Sequence, residues 1–416
     1  MLQLQEPERR ATMRWRACLR HFISMPHHAL FFLGALQAVL VMLWWLADLG
    51  GRYGGWYQPF NWAIPSPWAH LYLMIYGLFP LYMFGFLMTT YPKWMAGIPV
   101  AARYYLTAAA ILGVGIVLGY IGLATGRILL LCALAVYLSG WAAGLYGLLS
   151  VYRSAQRPDV LHARITSGVL LLGWFLLLIY TFGIYQGNAN LIAIARSGGV
   201  WWFLFPVFFA VSHRLIPFFS SVVIPDYQVI RPDWTLWLMT VGGLVHGGLD
   251  LAGKPEWIWL VDLPMAAITF WLSFVWRLKQ SFNVRILAML HTAFVWLGIA
   301  LALFAAQSLL LMMGMDSPLN RAPLHALMIG YFSSMLVAMS TRVTLGHSGR
   351  PLTADSMAWT IFLGVQVAAL LRVMADFPVI NTYAANLYVY SALLWLIAFG
   401  GWLFKFVPIY WRIGKT

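Results

Sequence analysis

Charge is what this sequence has least of. Of its 416 residues only 9% are Asp, Glu, Lys or Arg, and the acids number 12. With 62% of the chain hydrophobic, that is too little polar surface to cover a soluble fold, and a soluble globular protein is excluded. Cysteine is nearly missing. Cys18 lies in a basic N-terminal stretch and Cys132 inside an apolar run. They belong at different depths, so no disulfide is expected, and a thiolate metal motif has no material. The sequence has no Gly-rich phosphate loop, no nucleophile elbow and no paired metalloprotease histidines. No polar stretch between apolar runs is long enough for a soluble domain. Any chemistry must therefore be built from polar side chains facing inward among helices.

What is present is apolar length. Mean hydropathy is +0.78, and 22 Trp with 20 Tyr suit the two interfacial belts of a membrane protein. The apolar runs predict an all-α polytopic membrane protein of about twelve transmembrane helices. They fall at 29–48, 67–90, 104–124, 127–150, 165–187, 199–223, 234–252, 256–276, 286–313, 322–344, 356–376 and 383–408. Breaks come at clusters such as Gly50-Gly51-Arg52, Arg231-Pro232-Asp233 and Gly349-Arg350-Pro351. Residues 1–28 read as a basic cytoplasmic tail without a cleavable signal peptide, 29–408 as one twelve-helix domain, and 409–416 as a short cytoplasmic tail. With the N-terminus in the cytoplasm, 20 of the 26 Lys and Arg fall inside and six outside. That asymmetry supports an even number of spans with both termini inside. It also accounts for the net charge of +14 without nucleic acid; the expected partner is the lipid bilayer.

A short echo recurs at the inner ends of spans two, six and ten: Leu87-Met88-Thr89, Val211-Ser212-His213 and Met339-Ser340-Thr341. Counted from Leu87, Ala210 and Ala338, its intervals of 123 and 128 residues fit three pseudo-repeats of four helices.

Histidine carries the chemistry. Of ten, His21, His27, His28 and His162 read as solvated surface residues of the tail and a loop. The other six sort into two depths. His70, His325 and His246 lie within roughly 10 Å of the outer face at 1.5 Å per residue. His213, His291 and His347 share the inner level. Imidazole is a common ligand for copper, haem iron and zinc; the plainer reading of each ring is a hydrogen-bonded helix contact. The stretch Pro323 to Leu352, built on span ten, contributes to both levels, His325 outside and His347 inside. Those two are separated by roughly 33 Å along a straight helix, which calls for two separate sites. Arg214, Arg342 and Arg350 flank the inner histidines. They suit carboxylate anchoring, haem propionates included, although arginines crowd the inner face in any case. Asp262 lies inside span eight, where an ion pair or a proton relay is expected. Met74 and Met328 follow His70 and His325 on the same helix faces and suit either packing or a soft metal.

With these residues in view the chain resembles the NnrS family of bacterial membrane proteins. The densest stretch is His325-Ala326-Leu327, Gly330, Met339, Thr341-Arg342-Val343, Leu345-Gly346-His347 and Gly349-Arg350-Pro351-Leu352. Further matches are Arg214 with Ile216-Pro217-Phe218-Phe219, Leu290-His291 with Trp296-Leu297, and Gly85-Phe86-Leu87 with Thr89 and Pro92-Lys93-Trp94. One departure stands at span two. Where family members often read Trp-His-x-His-Glu-Met, this chain keeps His70 but has Tyr72 and Leu73 in place of the second histidine and the glutamate. The resemblance implies an inner-membrane protein binding haem b and copper and linked to nitric oxide metabolism or nitrosative-stress resistance. A small-molecule or metal-ion transporter with a histidine-lined path is the alternative. The charge asymmetry generates a direct expectation: a fluorescent protein fused after Thr416 fluoresces in the cytoplasm, and alkaline phosphatase at the same place is inactive.

Overall fold

The structure is a computed structural model that describes residues 15–156, 161–316 and 318–412. Among the described residues it has helices and no strands. Twelve long helices follow one another, each on one of the predicted spans. They are α1 Pro26–Arg52, α2 Ser66–Met95, α3 Ala102–Thr125, α4 Arg127–Ser154, α5 Leu161–Gln186 and α6 Ala189–Val223. The second half holds α7 Asp233–Leu251, α8 Trp259–Val275, α9 Arg285–Met312, α10 Ala322–His347, α11 Ser356–Met374 and α12 Ala384–Trp411. Ten are long and apolar enough to cross a bilayer. The exceptions are α8, which has 17 residues, and α7, whose 19 residues are diluted by Asp233, Asp250, His246 and four glycines. The N-terminal stretch differs from expectation. Residues 15–22 are already helical, and Phe22 stacks on Trp411 at 4.0 Å. Pro26, with its fixed φ, starts α1 three residues early and draws His27 and His28 into the bundle.

Burial separates a centre from a rim. The apolar windows of α2 and α10 are 94% and 89% buried, against 39–44% for α3, α4, α5, α11 and α12. The latter group leaves its other faces for lipid. The last helix closes on the first: Trp395 Nε1 donates to the Ala38 carbonyl at 3.1 Å. Trp402 Nε1 ties α12 to α10 through Thr341 Oγ1 at 2.9 Å.

The second helix in each successive set of four is irregular. α2 makes a π turn at Tyr72–Tyr76, α6 at Gly199–Leu204 and α10 at Ala326–Ser333. Their starts, residues 72, 199 and 326, are 127 apart both times. That is the spacing three four-helix units require. The local causes can be read from the sequence. Pro80 has no N–H, so the Tyr76 carbonyl loses its helical donor; the Tyr137 hydroxyl donates to it instead at 2.8 Å. Pro206 follows the second π turn at a similar distance. α10 has no proline here; Ser333 Oγ donates to the Met328 carbonyl at 2.8 Å and Ser334 Oγ to Ile329 at 3.4 Å. In hydrocarbon such hydroxyls replace the missing backbone partners.

Gly330 sits inside the third π turn against Trp296. A Cβ there would lie 2.5 Å from the indole ring. Trp296 is held by Gln366 Oε1 at 2.8 Å, and Gln366 in turn donates to Ser334 Oγ at 2.6 Å. Overpacking at so fixed a contact costs about 1–3 kcal/mol. Gly330→Ala is therefore expected to lower the melting temperature of the purified protein clearly. Gly400→Ala, with open space around its Cβ, leaves it unchanged.

Candidate functional site

The six histidines singled out in the sequence do not meet as two threes. Each is taken up by nearer neighbours, and the neighbours include histidines that the sequence reading had placed in water. His27, His28 and His162 are 1%, 4% and 3% exposed. The reading of these three as solvated is corrected: α1 and α5 start early enough that their second residues, His27 and His162, already lie inside the bundle.

At one end of the bundle His347 joins the N-terminal histidines. The ring of His347 lies 5.1 Å from that of His27, His27 lies 4.5 Å from His28, and His28 lies 5.0 Å from His21. Hydrogen bonds set the tautomers. Thr89 Oγ1 donates to the Gly85 carbonyl at 2.7 Å, so it accepts from His27 Nδ1 at 3.3 Å. His28 Nδ1 donates to the His21 carbonyl at 2.9 Å and His347 Nδ1 to the Val343 carbonyl at 3.0 Å. All three rings therefore carry the proton on Nδ1 and keep an Nε2 lone pair. A donated Nδ1–H is also the arrangement that orients imidazole ligands on metals. His27 Nε2 is buried with no partner among the described residues.

His213 and His291 are used differently. Thr235 Oγ1 donates to the Pro232 carbonyl at 2.7 Å. His213 Nε2–H thus donates to Thr235 and Pro232, at 2.9 and 3.2 Å. Its Nδ1 then accepts from His162 Nε2 at 3.0 Å, and both ring nitrogens are taken. His291 Nε2 shares a bond with Ser220 Oγ at 3.0 Å. These are interhelical ties, the plainer of the two roles weighed for them.

At the other end His70 stacks on Trp45 at 4.0 Å, and its Nδ1 is buried without a partner among the described residues. His325 Nδ1 donates to the Arg321 carbonyl at 3.0 Å, and the ring lies within electrostatic reach of His70 and Arg372. His246 stands apart from them. It lies 3.4 Å from the Trp201 ring and donates Nδ1–H to Asp262 Oδ1 at 2.8 Å. Asp262 is thus a partner of His246, and Arg372 pairs with Asp376 at 2.7 Å. His246 borders a cavity of about 130 Å³ with Ser197, Gln307 and Arg321. Among the described residues no three His, Cys, Asp or Glu stand close enough, as placed, to hold a metal ion.

The arginines also divide. Arg342 is buried, with its guanidinium 3.5 Å from the centre of the Phe219 ring. Arg214 lies over Trp94 at 4.6 Å. Arg350 is exposed on the loop beyond α10. That loop ends at Asp355, which caps α11 and accepts from Lys405. Those hydrogen bonds hold its carboxyl below the usual range.

The hydrogen bonds separate structural rings from available ones. His162→Ala leaves His213 Nδ1 without its donor, a loss of about 1–3 kcal/mol. His70→Ala breaks no hydrogen bond and is expected to cost less than half as much, as thermal melting of the two variants compares directly.

No curated protein matches this chain. The family model described as NnrS protein matches residues 21–413, nearly all of it. The matched span takes in every histidine described above, and the chain belongs to the NnrS family.

Proposed function

We propose that this protein binds haem b and copper within the bacterial inner membrane and acts there on nitric oxide, in its metabolism or in resistance to it. Family membership supports the link to nitric oxide. The observation that carries the metal reading is the pair of buried imidazole nitrogens with no partner among the described residues, His70 Nδ1 and His27 Nε2. Burying a polar atom unpaired is costly, and imidazole is the commonest protein ligand for metals.

On this reading His70 with His325 holds one group, and His347 with His27 and His28 holds the other. His246, His213 and His291, also weighed as ligands, act through their hydrogen-bonded partners. Haem and copper, when bound, would supply redox chemistry and affinity for a small neutral ligand. The protein's own part is to orient the imidazoles, through Val343 and His21 carbonyls and Thr89. It also keeps water out, and Arg342, Arg214 and Arg350 serve as anion anchors near the inner face. Tyr72 and Leu73 replace a histidine and a glutamate, so His70 works without the neighbours that relatives have.

One observation favours the transporter alternative. The π turns interrupt α2, α6 and α10 inside the bundle, and interrupted helices are how many transporters form a binding site.

A spectrum separates the two. Protein purified from haem- and copper-replete cells is expected to show a Soret band and bound copper. His70→Ala with His325→Ala removes one signal, and His27→Ala with His347→Ala removes the other. A colourless, copper-free preparation of folded protein overturns the metal reading.

A further inference from the structure

At the His70 end of the bundle, α6, α7, α9 and α10 wall the cavity of about 130 Å³ that His246 borders. Its wall is mixed. Trp201 and Phe304 are apolar, while Arg196, Arg321, Gln307 and His246 bring polar groups to it. The fold leaves three of those groups unspent.

The first is a charge. Arg196 pairs with Asp250 at 3.5 Å, and Arg321 stands within electrostatic reach of both. The Arg321 guanidinium has no ion pair or hydrogen bond of its own among the described residues. The neighbouring Arg372 is matched by Asp376. Two guanidiniums thus share one carboxylate, and the mouth of the cavity carries one positive charge in surplus.

The second is His246. Trp201 stacks on its ring at 3.4 Å and Phe304 meets it edge-on at 4.9 Å, which fixes the ring. Asp262 occupies Nδ1. Nε2 has no partner among the described residues and, unlike the sealed Nδ1 of His70, keeps a little accessible surface. Asp262 is wholly buried, and a carboxylate at that depth requires a matching charge. The matched pair has a proton on each ring nitrogen, so Nε2–H is a donor toward the cavity.

The third is Gln307, whose Oε1 is buried with no partner among the described residues. The same amide turned end for end offers its NH2 there.

These groups narrow the occupant. Two arginines repel a cation. An apolar molecule leaves the donors unmet. A surplus of one positive charge is balanced by a monovalent anion and overshot by a dianion. The planar guanidinium fork matches paired oxygens rather than a spherical halide. We propose that this cavity binds a small monovalent oxyanion of the carboxylate type, paired with Arg321 at the mouth and accepting from His246 Nε2 and Gln307 deeper in. The site is separate from the histidines assigned above to haem and copper, and its occupancy needs neither.

Calorimetric titration of the purified full chain, in detergent and chloride-free buffer, tests this. Formate and nitrate are each expected to bind saturably at one ion per chain, and chloride to compete poorly. Arg321→Gln, at the exposed rim, weakens both ions by about tenfold or more, the size expected for losing a hydrogen bond to a charged group. Arg321→Lys keeps the charge without the fork and weakens them less. His246→Gln weakens them too; if that variant does not fold, Gln307→Leu does so from the same wall. Arg103→Gln, at the opposite end of the bundle, leaves binding unchanged. No saturable binding, binding that survives Arg321→Gln, or chloride bound as tightly as formate overturns the proposal. So does displacement of formate by phosphatidylglycerol added to the micelles, which gives the cavity to a lipid head group. Formate binding by a colourless, copper-free preparation leaves this proposal standing and counts only against the metal reading.

Discussion

A backbone carbonyl inside a bilayer has no water to fall back on, and the rest of this structure is arranged around that constraint. Helices satisfy it by default. Where the three central helices depart from regular geometry, the freed groups must be met from elsewhere. The hydroxyls that do so, Tyr137, Ser333 and Ser334, come from a neighbouring helix or from the same turn. Irregular backbone is confined to three segments whose side chains are almost all buried.

Imidazole follows the same rule with a different outcome. Most rings inside the bundle have both their position and their proton assigned by a neighbour. His213 is fully committed, held between His162 and Thr235. His27 and His70 each keep a nitrogen without a partner among the described residues. The contrast lies in the bonds that surround each ring rather than in its depth, and it divides rings that tie helices together from rings left available.

Much of the fold was legible in the sequence, because apolar length is a direct response to hydrocarbon. All twelve helices fall where apolar runs predicted them, and the short echo in α2, α6 and α10 pointed to the helices that carry the π turns. The departures came from local chemistry at helix starts. Pro26 starts α1 early, and the polar look of Met25-Pro26-His27-His28 concealed two buried rings. The site was less legible than the fold. Depth along a helix says nothing of the direction a ring faces around it, so His246 was grouped with His325 although it faces Asp262 and Trp201. The pairing of His347 with His27 spans nearly the whole chain and leaves no trace in any local pattern.

That pairing has a consequence for biosynthesis. His27 enters the membrane with the first helix, and His347 closes the tenth. The ring contact between them does not exist while most of the chain is still being made. Trp395 reaches the Ala38 carbonyl later still, across 357 residues. Any group held between the first and tenth helices must therefore arrive after insertion is nearly complete. Filling that place then serves as a record that the whole chain has been threaded and closed.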